Sequence, residues 1–390
     1  MRGTVPGRAV DAFTNSCYLR TLTVERKDCT VKTGRGAAIL AAVATGALVL
    51  VPGASAKTRV VKPGQSIQAK INQSDVGDVV QVRKGTYRES LDIAKDDLIL
   101  EGEKGVVLEP PANPPDTLCN EFGEGAVTGI CIHGQVAVPA GGPPEVTELV
   151  RGVIVRHLTV QGFSGDGVFI YGGKQTIVRA THLLDNGGYG AFANTSRGTR
   201  FITNDVQRNG GPGLYVGDSP EANATIRKNY VKDNRGEGIL LRSASHGHVR
   251  RNIIKDNCAG ILVLADAPGP ARKWTIAANA VSQNNKQCAG EPDEGEPPVS
   301  GLGIGLIGAR DTTVAANGLY RNRKKGHESF ASGGIVVRRG VGGTKEHNLL
   351  IQSNGLTENS PFDISWDKIG KKIAFIDNRC DTSKPSSICT

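Results

Sequence analysis

GVFI at 167–170, GAFA at 190–193, GLYV at 213–216, GILL at 238–241 and GILV at 260–263 are one short phrase met five times. Each begins on a glycine followed by apolar residues, and the glycines stand 23, 23, 25 and 22 residues apart. A period of that length is one coil of a solenoid, in which a unit too small to bury its own apolar face is completed by its neighbours. Ahead of four of these glycines stands an asparagine in a turn-like setting: Asn186 in LLDNGGYG, Asn209 in VQRNGGPG, Asn234 in VKDNRGEG and Asn257 in IKDNCAG. A second series runs through Asn204, Asn229, Asn252 and Asn279. Asn accepts left-handed backbone angles at a bend, and repetition one coil later stacks its amide on an identical neighbour, so two Asn columns predict two side-chain ladders. Glycine beside the Asn is expected to relieve the turn. Strands of three to five residues then bury alternate positions inside a coil, and coils pair at about 4.8 Å.

The phrase continues less evenly through GIGL at 303, GIVV at 334 and FDIS at 362. The irregular steps leave room for loops in the Gly-, Pro- and charge-rich stretches 265–273, 287–300 and 321–332. At the other end, Ser66 is placed to cap a short helix whose Ile67 and Ile71 cover the open end of the stack. Composition agrees with a turn-rich β protein, with 51 glycines, 5% aromatic residues and one methionine in 390 residues.

Residues 37–51 (AAILAAVATGALVLV) follow Lys32 and Arg35 and lead into Ala54-Ser55-Ala56. That is the pattern of a cleavable export signal, too short to anchor the chain permanently in a bilayer. The preceding 30 residues are patternless and read as a mis-annotated extension, since VKTGRGAAIL at Val31 makes a compact signal start. The expected organisation is a leader over 1–56, an N-terminal cap with the first coils over 57–102, and repeats with protruding loops over 103–390, in a secreted, extracellular monomer with no membrane contact after cleavage. Seven of the 47 Lys and Arg and three of the 38 Asp and Glu precede Lys57, which leaves a net charge of +5 beyond it. So mild an excess, with no basic tract, argues against nucleic acid and fits a protein that meets anionic polymers.

Cys119, Cys131, Cys258, Cys288, Cys380 and Cys389 remain beyond the leader, an even count in an exported chain. Six cysteines allow 15 pairings. Their arrangement as three sequence-local couples makes 119 with 131, 258 with 288 and 380 with 389 the simplest. No couple has the short spacing of zinc ligands.

PGQSIQ at 63–68, GDVVQVRKGTYRESLDI at 77–93 and LILEG at 98–102, followed by Asn-and-Gly coils, resemble the pectate-lyase-like superfamily. CNEFGEGAVTGICIHG at 119–134, CAGILVLAD at 258–266, the Asn284 stretch NNK-x-C and SGGIVVRRGVGG at 332–343 resemble its secreted actinobacterial members. The resemblance implies an all-β fold, a single-stranded right-handed parallel β-helix with a short capping helix. It carries over no catalytic residue.

Alternation makes Val168/Ile170, Ala191/Ala193, Leu214/Val216, Ile239/Leu241 and Ile261/Val263 the inward pairs. Phe169, Phe192, Tyr215, Leu240 and Leu262 then form one outward column, and Tyr171, Asn194, Gly217, Arg242 and Leu264 the next. Aromatic rings one coil apart, edged by Asn and Arg, suit the stacking of successive sugars. Phe169, Tyr171, Phe192, Tyr215 and Arg242 are therefore the candidate ligand-binding surface, unless the rings stack on one another beneath a loop. Cleavage by β-elimination needs a base beside a uronate and a cation on its carboxylate, for which Asp166, Lys174 and Arg179 are the candidates. Asp166 and Glu237, about 14 Å apart by coil spacing, are too distant for a hydrolytic carboxyl pair. Polygalacturonase signatures are absent; SHGH at 245–248 reads as a variant of the Asn turn, and no other His pair has metal-ligand spacing. No metal or cofactor is indicated, calcium included. The expected function is binding of, or lyase-type action on, an acidic polysaccharide; the alternative is a non-catalytic structural or adhesive solenoid.

Overall fold

Twenty-three residues to a coil, divided among three short strands, fold the chain into a three-sided prism. The computed structural model describes residues 56–390 except 124, 140–143, 267–268, 291–296, 327 and 390, so the leader lies outside the described residues save for Ala56. Face I is a ladder of parallel strands from Leu91–Ile93 through Val168–Tyr171, Ala191–Asn194 and Leu214–Ser219 to Ser383–Lys384. Face II runs from Thr58–Val61 through Ile177–Arg179, Arg200–Ile202 and Ala224–Arg227 to Lys371–Ile376. Face III has ten strands, from Gly85–Arg88 to Gly355–Thr357. Strand Ile239–Arg250 passes unbroken from face I into face II and joins them into one 22-stranded sheet. The chain is a right-handed parallel β-helix.

The inward residues read from the alternation fill the prism: all ten from Val168 to Val263 are at most 1% exposed. Volume is balanced within a coil. The coil with the smallest inward pair, Ala191 and Ala193, carries Phe201 on face II, wholly buried. At the N-terminal end Ser66 caps α1 (Ile67–Gln73) by accepting from the Ala69 amide at 3.1 Å, and Ile67 and Ile71 are buried against the first coil.

The two ladders run further than the sequence pattern traced. One links Asn204, Asn229, Asn252, Asn279, Asn317, Asn354 and Asn378 at the corner between faces II and III. The other links Asn186, Asn209, Asn234, Asn257, Asn284, Asn322 and Asn359 at the corner between faces III and I. Asn234 is typical: its Oδ1 accepts from the backbone N and Nδ2 of Asn209, and its Nδ2 donates to Val206 O and Asn257 Oδ1.

The geometry corrects the expected turn chemistry in two ways. The left-handed residue is the one before each Asn, such as Thr203 (φ 54°), Lys228 (φ 57°) and Asp233 (φ 62°), and the Asn itself is not left-handed. Turning the corner one residue early aims the Asn side chain inward, onto the ladder. Gly187 and Gly210, beside Asn186 and Asn209, do not relieve a turn through positive φ, and neither do the repeat glycines Gly190, Gly213 and Gly238. They are glycine because a Cβ at Gly213 would lie 2.8 Å from Gly238 O and 2.9 Å from Asn234 Nδ2. SHGH is likewise no Asn turn. It lies in Ile239–Arg250 at the ladder-free corner, where a Cβ on Gly247 would meet the buried Trp274 ring at 2.3 Å.

The three expected disulfides, Cys119–Cys131, Cys258–Cys288 and Cys380–Cys389, are present. Asn234→Ala should leave the Asn209 backbone N–H unmatched, at about 1–3 kcal/mol, together with one of its two Nδ2 hydrogens, the other staying on Leu183 O. Urea denaturation should therefore give a stability loss of about 2–4 kcal/mol; a loss below about 0.5 kcal/mol would mean the ladder is not holding the corner.

Candidate functional site

The outward column of face I is largely covered. Phe169 is 8% exposed and Tyr215 3%, with Leu240 and Leu262 similarly buried. Two loops provide the cover, each tied to the stack by a disulfide. The first contains α2 (Leu118–Phe122): Cys119 bonds to Cys131 on the strand below, and Phe122 sets its ring at 6.4 Å from Phe169 and 5.1 Å from Tyr171. The second is held by Cys258–Cys288 and brings Val299 into the cluster that contains Tyr215, Leu240 and Leu262, and the loop of the next coil adds Phe330 and Ala331 to it. Of the two readings of the outward column, that of rings stacked on one another beneath a loop describes Phe169, which Phe122 covers, and Tyr215 is buried against Phe192 and Tyr189, so neither is an open surface.

Between the two loops the cover is incomplete. Phe192 packs against both clusters and is only half-buried, as is Tyr189 beside it. Phe192 stacks on Tyr215 with centroids 4.5 Å apart and planes 13° from parallel, and Tyr189 leans over both at 4.8 and 5.3 Å. Tyr215 lies back along its own strand, and a Cβ at Gly217 would meet its hydroxyl at 2.0 Å, so Gly217 makes room for the ring. Burial, reinforced by Asp218, pushes the Tyr215 hydroxyl well above its ordinary pKa, which keeps it protonated. Half-buried Tyr171 donates its hydroxyl to Pro144 O at 2.9 Å. Tyr189 escaped the sequence reading because it precedes its repeat glycine, outside the strand alternation.

A polar edge borders the rings. Asn194 Nδ2 donates to Asp218 Oδ2 at 3.0 Å, and Arg242 Nε donates to Asp266 Oδ2 at 2.6 Å, with Ser243 Oγ on the other carboxylate oxygen at 2.9 Å. Burial raises the Asp218 carboxyl pKa, against the Asn194 hydrogen bond and the Arg242 charge that lower it. Two carboxyl groups thus surround one guanidinium. The edge offers hydrogen-bond donors and acceptors without a surplus of positive charge.

The elimination trio is not brought together. Asp166 lies ahead of strand Val168–Tyr171, Lys174 beyond its far end, and Arg179 on face II, another side of the prism. Asp166 is occupied in positioning Tyr189: its Oδ1 accepts from the Tyr189 amide at 2.7 Å. Burial pushes its carboxyl up to about 7, with the Tyr189 amide pulling the other way. Arg242, in register with Tyr171 rather than with Asp166, is three coils further on, more than about 14 Å away by coil spacing alone. Asp92, Cys131 and His133 also converge, but the Cys131 sulfur is committed to Cys119 and His133 Nε2 meets Asp92 Oδ1 at 2.9 Å.

The family model described as "Right handed beta helix region" matches residues 120–271. The A-module of the Azotobacter vinelandii mannuronan C-5 epimerase AlgE4 superposes with a TM-score of 0.54 at 17% identity, covering 81% of this chain and 90% of that one. The AlgE6 A-module from the same organism gives 0.56 at 16%, covering 80% and 88%. ORF18 of Geobacillus virus E2 gives 0.55 at 10%, covering 80% and 56%. No curated protein matches the sequence. At these identities the likeness is one of fold, the right-handed β-helix.

Two outcomes follow. Tyr215→Ala removes a buried ring and should cost about 3–5 kcal/mol; a melt within a degree or two of the wild type would show the loops do not depend on it. A carboxyl raised in the folded state gives stability that is present at low pH and lost as pH rises through about 7. Asp166→Asn keeps the acceptor without the charge, so its melting temperature should exceed that of the wild type at pH 8.5 and match it near pH 4; equal melts at both would remove the buried-carboxyl assignment.

Proposed function

We propose that the protein is an extracellular polysaccharide-binding β-helix that takes a sugar chain on face I, against Tyr189 and Phe192. One observation carries this reading: half-open, mutually stacked rings lie between two disulfide-tied loops, with hydrogen-bonding groups along one side. Apolar surface is worth roughly 25 cal/mol per Å² on burial, so rings left half-open in an otherwise sealed cluster favour an occupant. Sugar rings present an apolar face to such a platform and hydroxyls to its edge, matching Asn194, Asp218 and the Arg242–Asp266 pair.

The compensated charge of the edge favours a neutral chain here over a polyuronate. The separation of Asp166 from Lys174, Arg179 and Arg242 favours binding over elimination. Three disulfides and the export-type leader fit an extracellular location. Among the described residues no helix is long and apolar enough to cross a membrane. The fold neighbours named as mannuronan epimerases act on a polysaccharide, an analogy of architecture that leaves function to be argued from the site.

Affinity electrophoresis of the secreted protein in gels containing galactomannan, xyloglucan or hydroxyethylcellulose tests the reading. At least one should retard the protein. Phe192→Ala should weaken that retardation about three- to tenfold, from an aromatic contact of about 0.5–1.5 kcal/mol. Unchanged retardation together with a lowered melting temperature would leave the structural solenoid as the better account, and accumulation of unsaturated uronate products would overturn binding without cleavage.

A further inference from the structure

Face II carries a second site. Arg227 and Arg250 are register partners on adjacent coils, and Arg200 sits one coil before Arg227 on the neighbouring column. Lys228 and Arg251 follow at the left-handed corner, where their side chains leave the stack. These five exposed cations line a groove of about 350 Å³ whose floor is Ile202 and Thr225. No ion pair involves any of the five among the described residues. Other coils do set a cation against an acid: Arg156 with Glu101 at 2.9 Å, Arg208 with Asp185 at 2.7 Å, Arg321 with Glu358 at 2.9 Å. Coil spacing sets the Arg227 and Arg250 backbones about 4.8 Å apart, so two like charges rise from neighbouring rungs with no acid between them. His248, beside them on the same face, has its pKa lowered by burial and by the charge of Arg250. Arg179, in the Arg227 column on the N-terminal side, has its Nε buried without a hydrogen-bond partner.

We infer that this groove binds a flexible anionic glycan, carboxylated or sulfated, as a site separate from the aromatic site on face I. Four of the five cations are arginines, whose planar guanidinium matches carboxylate and sulfate oxygens two at a time. Coils one above another present a charge at each step to a chain laid along the helix axis. No aromatic ring lines the groove, so it lacks the platform on which single-stranded nucleic acid stacks its bases. The inference does not rest on the aromatic site, and the two are separable by experiment.

The test is the Arg227→Gln/Arg250→Gln double variant of the whole secreted protein, run in gels of polygalacturonate, dextran sulfate or neutral dextran over a range of salt. The wild type should be retarded by polygalacturonate or dextran sulfate and not by dextran, and the gel showing retardation tells carboxylate from sulfate. The variant should bind at least tenfold more weakly, with its salt dependence reduced by about 1.4 in log–log slope and its melting temperature unchanged or raised. Phe192→Ala should bind the anionic gel as the wild type does. Loss of anionic binding in Phe192→Ala but not in the double variant would overturn the assignment, as would tighter binding of a duplex DNA than of either glycan.

Discussion

Each coil is fixed to the next by an amide that hands two hydrogen bonds forward and receives two from behind. That exchange needs an inward Asn, a left-handed residue ahead of it to aim it, and a glycine beneath it to let the neighbouring backbone approach. A left-handed, non-glycine residue costs on the order of 1 kcal/mol, a penalty repeated at every such corner. The ladder recovers it collectively, since each Asn also donates to a strand carbonyl of the coil before it. The apolar stack and the three flat faces both follow from corners held this way.

What the sequence revealed was whatever recurs with the coil. The inward pairs, the capping helix, the three disulfides and the first four rungs of each ladder are all periodic or local, and all are found. What it concealed was set by distance along the chain. Nothing in the neighbourhood of Phe169 or Tyr215 indicates that Phe122 or the second loop will close over them. Asn317, Asn322 and their successors were hidden by loops that stretch the interval between rungs to 37 or 38 residues. The basic groove was concealed by the period itself, because residues more than twenty apart in the chain make no tract until the coils stack.

The two outward surfaces therefore differ in chemistry as well as position. On face I charge is compensated and aromatic area is left half-open; in the groove on face II the cations have no acidic partner and no ring lines it. The first arrangement selects by shape and hydrogen bonding, whereas the second draws a ligand by field and weakens with salt.

The corner between faces II and III is two residues long in every coil from Arg156 to Gln352, whereas the chain on either side of face I varies from a tight turn to long excursions. Change by insertion is therefore confined to the rim of face I, where loops can be lengthened or exchanged without moving a rung. Face II has no such freedom and can be altered only one side chain at a time. A lineage of such proteins would be expected to diversify its aromatic site in large steps and its basic groove in small ones.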